Sequence, residues 1–171
     1  VEEIEYSFKK QEYKDISFPI YTVLSNTKLL KKLIHSFKYR YYHEISEIFK
    51  KHIDTGLKNF PENKVLIATP LHKKKKRIRG FNQVEKIIEE GYRMLKLKRI
   101  RNTSSQMTLK KKDRVINMKG AFLCNKDLDS ETTYIIIDDV VTTGSTIIEI
   151  ANELYIKGAK RVIGLTLTRG L

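Results

Sequence analysis

The stretch Tyr134 to Thr146 restricts the possible folds of this 171-residue chain more than any other. It begins with Tyr134-Ile135-Ile136-Ile137, an apolar run without polar alternation. Such a run suits a strand buried on both faces, the situation of a central strand in a parallel sheet. Two carboxylates, Asp138 and Asp139, follow at its C-terminal end. Val140, Val141, Thr142, Thr143, Gly144, Ser145 and Thr146 then lead into a helix with Ile147, Ile150, Ala151 and Leu154 on one face, stopped by Gly158.

The rest of the chain fits an α/β architecture. Tyr21 to Leu24, Val65 to Ala68 and Val162 to Leu167 read as further strands. Asn26 predicts an N-cap for a helix that turns Leu29, Leu30, Leu33, Ile34 and Phe37 inward. A second helix carries Ile45, Ile48, Phe49 and Ile53, with Gly56 as its C-terminal stop. Asn82 and Glu85 form a capping box, and Val84, Ile87, Ile88, Gly91 and Leu95 recur at helical spacing, which predicts a helix reaching Leu95. Residues 98–120 read as irregular and basic, with one short helix after Thr108. Strand–helix–strand order gives a central, mostly parallel sheet flanked by helices. The chain reads as a single domain over 1–171, with an N-terminal extension at 1–18 and a flexible basic loop and insertion at 72–119.

This length buries a core without staples. A lone Cys124 excludes a disulfide framework and a multi-cysteine zinc site within the chain, and reads as a small core residue. The histidines at 35, 43, 52 and 72 lack metal-ligand spacing, so no protein-held metal is assigned. No apolar run approaches the roughly 18 residues of a membrane span. The acidic start Val1-Glu2-Glu3-Ile4-Glu5 has no apolar signal core. A cytoplasmic protein without membrane insertion is the expectation.

The chemistry of the central motif points to a phosphorylated sugar. In open α/β sheets ligands bind beyond the carboxyl ends of strands. A helix N-terminus there offers free backbone N–H groups and partial positive charge, which suit phosphate. Thr142, Thr143, Ser145 and Thr146 add hydroxyl donors, and Gly144 lets the backbone approach closely. Two carboxylates beside a phosphate repel it unless they accept from hydroxyls or face a cation. A sugar phosphate with vicinal hydroxyls and Mg²⁺ meets all of these conditions. The plainer reading is a solvated acidic strand end before an ordinary Thr- or Ser-capped helix; it leaves the pairing of two carboxylates unexplained. No Gly-Lys-Ser/Thr sequence is present, which argues against a Walker A loop and ATP hydrolysis.

The formal net charge is +14, unevenly spread. Residues 1–71 carry +3, residues 72–119 carry +13 and residues 120–171 carry −2. The middle segment therefore invites an anionic partner, although a lysine-rich solvated surface would give the same total.

The motif Ile135 to Thr146 resembles the phosphoribosyl-pyrophosphate (PRPP) signature of type I phosphoribosyltransferases. Further residues narrow the resemblance: Ile34 to Tyr39, Pro70-Leu71, Arg77-Ile78-Arg79-Gly80-Phe81-Asn82-Gln83, and Arg99, Arg101, Thr103, Gln106, Leu109, Arg114, Asn117 and Phe122. From about residue 20 onward the chain resembles the ComF/ComFC branch of that family, linked to competence for DNA uptake. Many members carry an N-terminal four-cysteine zinc finger, which Cys124 alone cannot supply.

The resemblance implies a type I phosphoribosyltransferase-like domain that takes PRPP with Mg²⁺. Asp138 and Asp139 would be the catalytic carboxylates on the ribose hydroxyls, and Val140 to Thr146 the loop on the 5′-phosphate. The loop Pro70, Leu71, His72 and Lys73 would clamp pyrophosphate, with Lys73 to Arg79 closing over it as a lid. Single-stranded DNA and other competence proteins are the implied partners. Arg77, Arg79, Phe81, Arg99, Arg101 and Arg114 mix guanidinium groups with an aromatic, as single-strand grooves do, and Lys38-Tyr39-Arg40-Tyr41-Tyr42 repeats the mixture upstream; packing of Phe81 and Tyr39 in the core, with the basic residues solvated, is the competing expectation. Three activities stay open: PRPP and DNA binding without transfer, transfer of ribose 5-phosphate to an acceptor, and PRPP-responsive regulation, since one fold hosts several.

Overall fold

The computed structural model describes residues 4–13, 16–40, 42–101 and 120–170. Its framework is a five-stranded sheet in the order β1-β2-β7-β6-β3. The strands are β1 (Tyr6–Gln11), β2 (Ile20–Leu24), β3 (Lys64–Ala68), β6 (Thr133–Val141) and β7 (Arg161–Arg169). From β2 to β3 every neighbouring pair is parallel, and β1 joins β2 antiparallel. A separate two-stranded antiparallel ribbon pairs β4 (Lys98–Arg99) with β5 (Phe122–Leu123).

The helices cover both faces because the central strands are apolar on both. Ile135 and Ile137 point to one side, where α1 (Lys28–Tyr39), α2 (His43–Leu57) and the short α4 (Gln83–Lys86) bury Leu30, Phe37, Phe49, Ile53 and Val84. Tyr134 and Ile136 point to the other, where α5 (Ser145–Ile156) buries Ile147, Ile150 and Leu154. Leu95 and Leu97 before the β4–β5 ribbon, Phe122 within it and Cys124 after it complete that second core. Along β6 successive side chains enter alternate cores, the two-residue period of a strand buried on both faces.

Several expected elements come out differently. Within the N-terminal extension residues 6–11 form a strand: β1 satisfies the edge of β2, and Phe8 stacks on Tyr21 with ring centroids 4.9 Å apart. The α1 N-cap is Thr27, not Asn26; its hydroxyl accepts from the Leu30 N–H at 3.1 Å. Gly56 lies inside α2, and a Cβ there would stand 2.6 Å from Val23, so its smallness lets the helix close on the sheet. The helix from Asn82 stops at Lys86 instead of reaching Leu95. Arg93 to Leu95 instead run along β3: Leu66 N–H donates to Arg93 O and Leu95 N–H to Leu66 O, both at 2.9 Å. The β3 edge thus obtains hydrogen bonds that a continued helix would have left unmade. Residues 73–79, expected as a loop, form α3 (Lys73–Arg79), closed by Gly80.

Candidate functional site

The site lies at the carboxyl edge of the sheet, where β6 runs on to Val141 instead of ending at Ile137. Asp138 and Asp139 therefore sit in regular strand, with their carboxyl groups close enough to interact. Asp139 N–H donates to Asp138 Oδ1 at 2.9 Å, and Val140 N–H to Asp139 Oδ1 at 2.8 Å. Asp139 is buried, and its other oxygen meets two side chains from the helical layer. Lys38 Nζ at the end of α1 is 3.1 Å from Asp139 Oδ2, and Gln83 Nε2 donates to it at 3.3 Å. Gln83 Oε1 in turn accepts from the Arg79 guanidinium at 2.8 Å.

Asp138 stands in a different environment. Burial first, and then the adjacent Asp139 charge, push its carboxyl up to about 8. The Asp139 N–H and Lys38 pull weakly the other way. A carboxylate held in that condition favours partners that bring hydroxyl donors or positive charge.

The loop that follows lines a cleft. Asp138, Val140, Val141, Thr142, Thr143, Gly144, Ser145 and Thr146 line one cleft with Ile147. The N-cap of α5 is Gly144, at φ +75°, which has no side chain of its own to cap the helix. The Thr143 hydroxyl donates to Ser145 Oγ at 3.0 Å and accepts from the Ser145 N–H at 3.4 Å, which holds both hydroxyls at the mouth. Gly144→Ala should cost about 1–2 kcal/mol of stability in denaturant melts, because a left-handed φ strains any other residue. The added Cβ would also stand 2.7 Å from Ile16 Cδ1. At the end of β7, Gly170 N–H donates to Val141 O at 2.8 Å, so Thr168 to Gly170 brace this loop.

The segment after β3 is anchored by Asn82. Its Nδ2 donates to Thr69 O at 3.1 Å, while its Oδ1 accepts from Val84 N–H at 3.0 Å. His72 Nδ1 accepts from the Lys74 N–H at 3.3 Å and caps α3; burial and then Arg99 and the neighbouring lysines hold its imidazole toward the neutral form. Pro70, Leu71, His72 and Lys73 line a second cleft of about 510 Å³, together with Lys76, Leu97 and Arg99.

The arginines expected to touch nucleic acid separate into distinct environments. Arg77 and Arg101 are exposed. Arg79 faces Gln83 on the carboxylate side. Arg99 is half-buried: its guanidinium donates to Pro70 O at 3.5 Å, lies 5.5 Å from the centroid of Phe122 and feels the Asp138 charge. Phe81 packs on Phe37 with centroids 6.0 Å apart. Arg114 lies outside the described residues. The pairing of Lys38 and Gln83 with Asp139 is not expected from the sequence, where Lys38 enters only in the basic and aromatic run Lys38 to Tyr42. Both stand inside quoted motifs, Ile34 to Tyr39 and Arg77 to Gln83, and that membership is the signal by which they could have been found.

Known proteins place the chain. It is 32% identical over 157 residues to the DNA utilization protein YhgH of Escherichia coli (strain K12), covering 82% of this chain and 67% of that protein. The chain belongs to the ComF/ComFC family. It is also 31% identical to competence protein ComFC of Bacillus subtilis, over 86% of this chain and 63% of the relative. Competence protein F of Haemophilus influenzae matches over 57% of the chain at 32% identity, across 46% of its own length. The family's α/β fold, a mostly parallel sheet flanked by helices, is the one observed. Among solved structures, adenine phosphoribosyltransferase from Giardia lamblia aligns with 96% of the chain at TM-score 0.43 and 12% identity. A Staphylococcus aureus hypoxanthine phosphoribosyltransferase aligns with 80% at TM-score 0.40. No family model matches the chain.

Proposed function

We propose that this protein binds PRPP with Mg²⁺ at Asp138, Asp139 and the 142–146 loop, and handles single-stranded DNA in the cytoplasm during natural transformation. The carrying observation is the pairing of two strand-end carboxylates with a hydroxyl-rich loop that enters a helix through a glycine N-cap. In this reading the α5 amides and the Thr143 and Ser145 hydroxyls take the 5′-phosphate, and the carboxylates take the ribose hydroxyls. Names of relatives, a competence protein and a DNA utilization protein, support the biological setting.

Magnesium fits as a companion of the diphosphate. Among the described residues no group of three or more His, Cys, Asp or Glu is gathered to hold a metal by protein ligands alone. Asp138, raised in pKa and on the cleft wall, suits a site where a cation arrives with the ligand. When bound, Mg²⁺ would neutralise diphosphate charge. Lys75 and Arg99 add positive charge of their own. The ammonium of Lys75 is half-buried, and that burial first, then the charges of Arg99, Arg79 and Lys38, lower its pKa.

The 510 Å³ cleft beside Arg99 favours transfer to an acceptor as the second reading. Measuring pyrophosphate release from PRPP, with and without nucleobases or DNA, separates the two. Release that depends on an added acceptor establishes a transferase; no release alongside tight PRPP binding establishes a binding protein.

The nucleic-acid arm has its own test. Anisotropy of a labelled oligothymidylate should show affinity falling steeply with salt, and Arg77→Ala with Arg79→Ala should shallow the log–log slope by about 1.4, two contacts at roughly 0.7 each on a single strand. A flat salt response would remove the DNA assignment.

A further inference from the structure

An exposed aromatic ring that the site itself does not use, Tyr39, stands beside the side chains that meet the carboxylate pair. Tyr39, the last residue of α1, leaves 61% of its surface in solvent. That is unusual for an aromatic ring in a chain whose other large side chains mostly fill two cores. Its position is held from two sides. The His35 ring, one helical turn earlier, lies 4.9 Å away centroid to centroid, tilted by 49°. The Arg79 guanidinium lies 5.7 Å from the Tyr39 centroid. Lys38 precedes the ring and Arg40 follows it, so cations border it on both sides in sequence.

We infer that Tyr39 is a base-stacking platform for single-stranded nucleic acid, set at the rim of the PRPP site. The inference rests on the nucleic-acid arm of the proposed function and names where on the protein a base would sit. An exposed ring gives every base a π-face to stack on, and adjacent cations take the flanking phosphates. Apolar protein partners are poorly served here, because the groups shown against the ring are the His35 imidazole and the Arg79 guanidinium rather than aliphatic side chains.

The platform is wired to the carboxylates. Arg79 Cζ lies over the Tyr39 ring, and its Nη1 donates to Gln83 Oε1 at 2.8 Å. Gln83 donates to Asp139 at 3.3 Å, and Lys38, next to Tyr39 in sequence, pairs with that same oxygen at 3.1 Å. Two short paths therefore join the ring to Asp139. A base that repositions Arg79 changes what Gln83 and Asp139 meet, and a ligand that takes Asp139 changes what Arg79 and Lys38 meet. Strand binding and PRPP binding should then alter each other's affinity by one common factor.

The chain contains no Trp, so Tyr39→Trp creates a single reporter at the site. Oligothymidylate should quench the emission of the introduced indole in step with the anisotropy rise of a labelled strand. Tyr39→Ala should weaken oligothymidylate roughly 5- to 50-fold while leaving the salt slope unchanged, because a stacking contact is lost and no phosphate contact is. Tyr39→Phe should bind as the parent does. Tyr39 is exposed at a helix end, so melts of the variants should match the parent and confirm that they are folded. Parent-like oligonucleotide affinity in Tyr39→Ala, or unquenched indole emission from Tyr39→Trp at saturation, overturns the platform while the DNA reading stands. Failure of the parent chain to bind any strand overturns both.

Discussion

Replacing Asp138 and Asp139 together by Asn is expected to lower Mg²⁺-dependent PRPP affinity by at least about a hundredfold in calorimetry, some 2.7 kcal/mol. Asn keeps the size and the Oδ1 acceptor, so the internal bonds from Asp139 N–H and Val140 N–H can persist. What disappears is charge, that of Asp138 included once the cation and ligand draw off the proton it holds in the free protein below about pH 8. Hydrogen bonds from ribose hydroxyls to an ionised carboxylate contribute about 1.5–3 kcal/mol, against roughly 1 kcal/mol for neutral partners. Two such bonds lost in part, with the attraction for the accompanying cation, reach the hundredfold figure. The variant also releases Lys38 from its 3.1 Å pair with Asp139, leaving an added positive charge beside an anionic ligand. That favours binding, so the loss must be seen against it. Unchanged PRPP affinity would remove the carboxylate pair from the site.

The parts of this fold that are legible in the sequence are those set by local pattern. Tyr134 to Ile137 carries its buried, parallel character in its lack of polar alternation, and Ile135 and Ile136 do face opposite cores. The loop after it is equally local: Gly144 takes the left-handed conformation open to glycine at a tight strand-to-helix turn. What is not legible depends on distant edges. The pattern Val84, Ile87, Ile88, Gly91, Leu95 has helical spacing, yet the chain leaves the helix at Lys86 to pair Met94 with Leu66. Nothing within residues 82–95 reveals that β3 has an edge to be paired. Gly56 reads as a helix stop because glycine often is one. Its reason is Val23, on a strand more than thirty positions away. The candidate site divides the same way. The carboxylates and hydroxyls belong to one continuous segment and can be named from it. Lys38 and Gln83 reach Asp139 from α1 and α4, and only the packing of the helical layer on β6 brings them there.

Asp138→Asn alone should stabilise the unliganded protein, and by an amount that grows with pH. Burial and the Asp139 charge move the Asp138 carboxyl from 3.8 up to about 8. An acid raised in this way holds its proton more tightly folded than unfolded. Its favourable share of stability is complete below about pH 4 and is lost as pH rises through about 8. Above that range the parent keeps a crowded negative charge next to Asp139, and Asn removes it while preserving the 2.9 Å acceptor for Asp139 N–H. Allowing for solvent at the partly exposed side chain, the variant should gain about 2 kcal/mol near pH 9, or roughly 4–8 °C in Tm. The gain should shrink steadily toward pH 4. Melts of both proteins across that range check it; a difference that does not vary with pH would show that Asp138 is not held in tension. Saturating Mg²⁺ and PRPP should narrow the gap at high pH, since the ligand stabilises the parent through the very charge that the variant lacks. The instability of the empty pair and its capacity to bind would then be one property of Asp138, present because a strand-end carboxylate is placed beside another before its partner arrives.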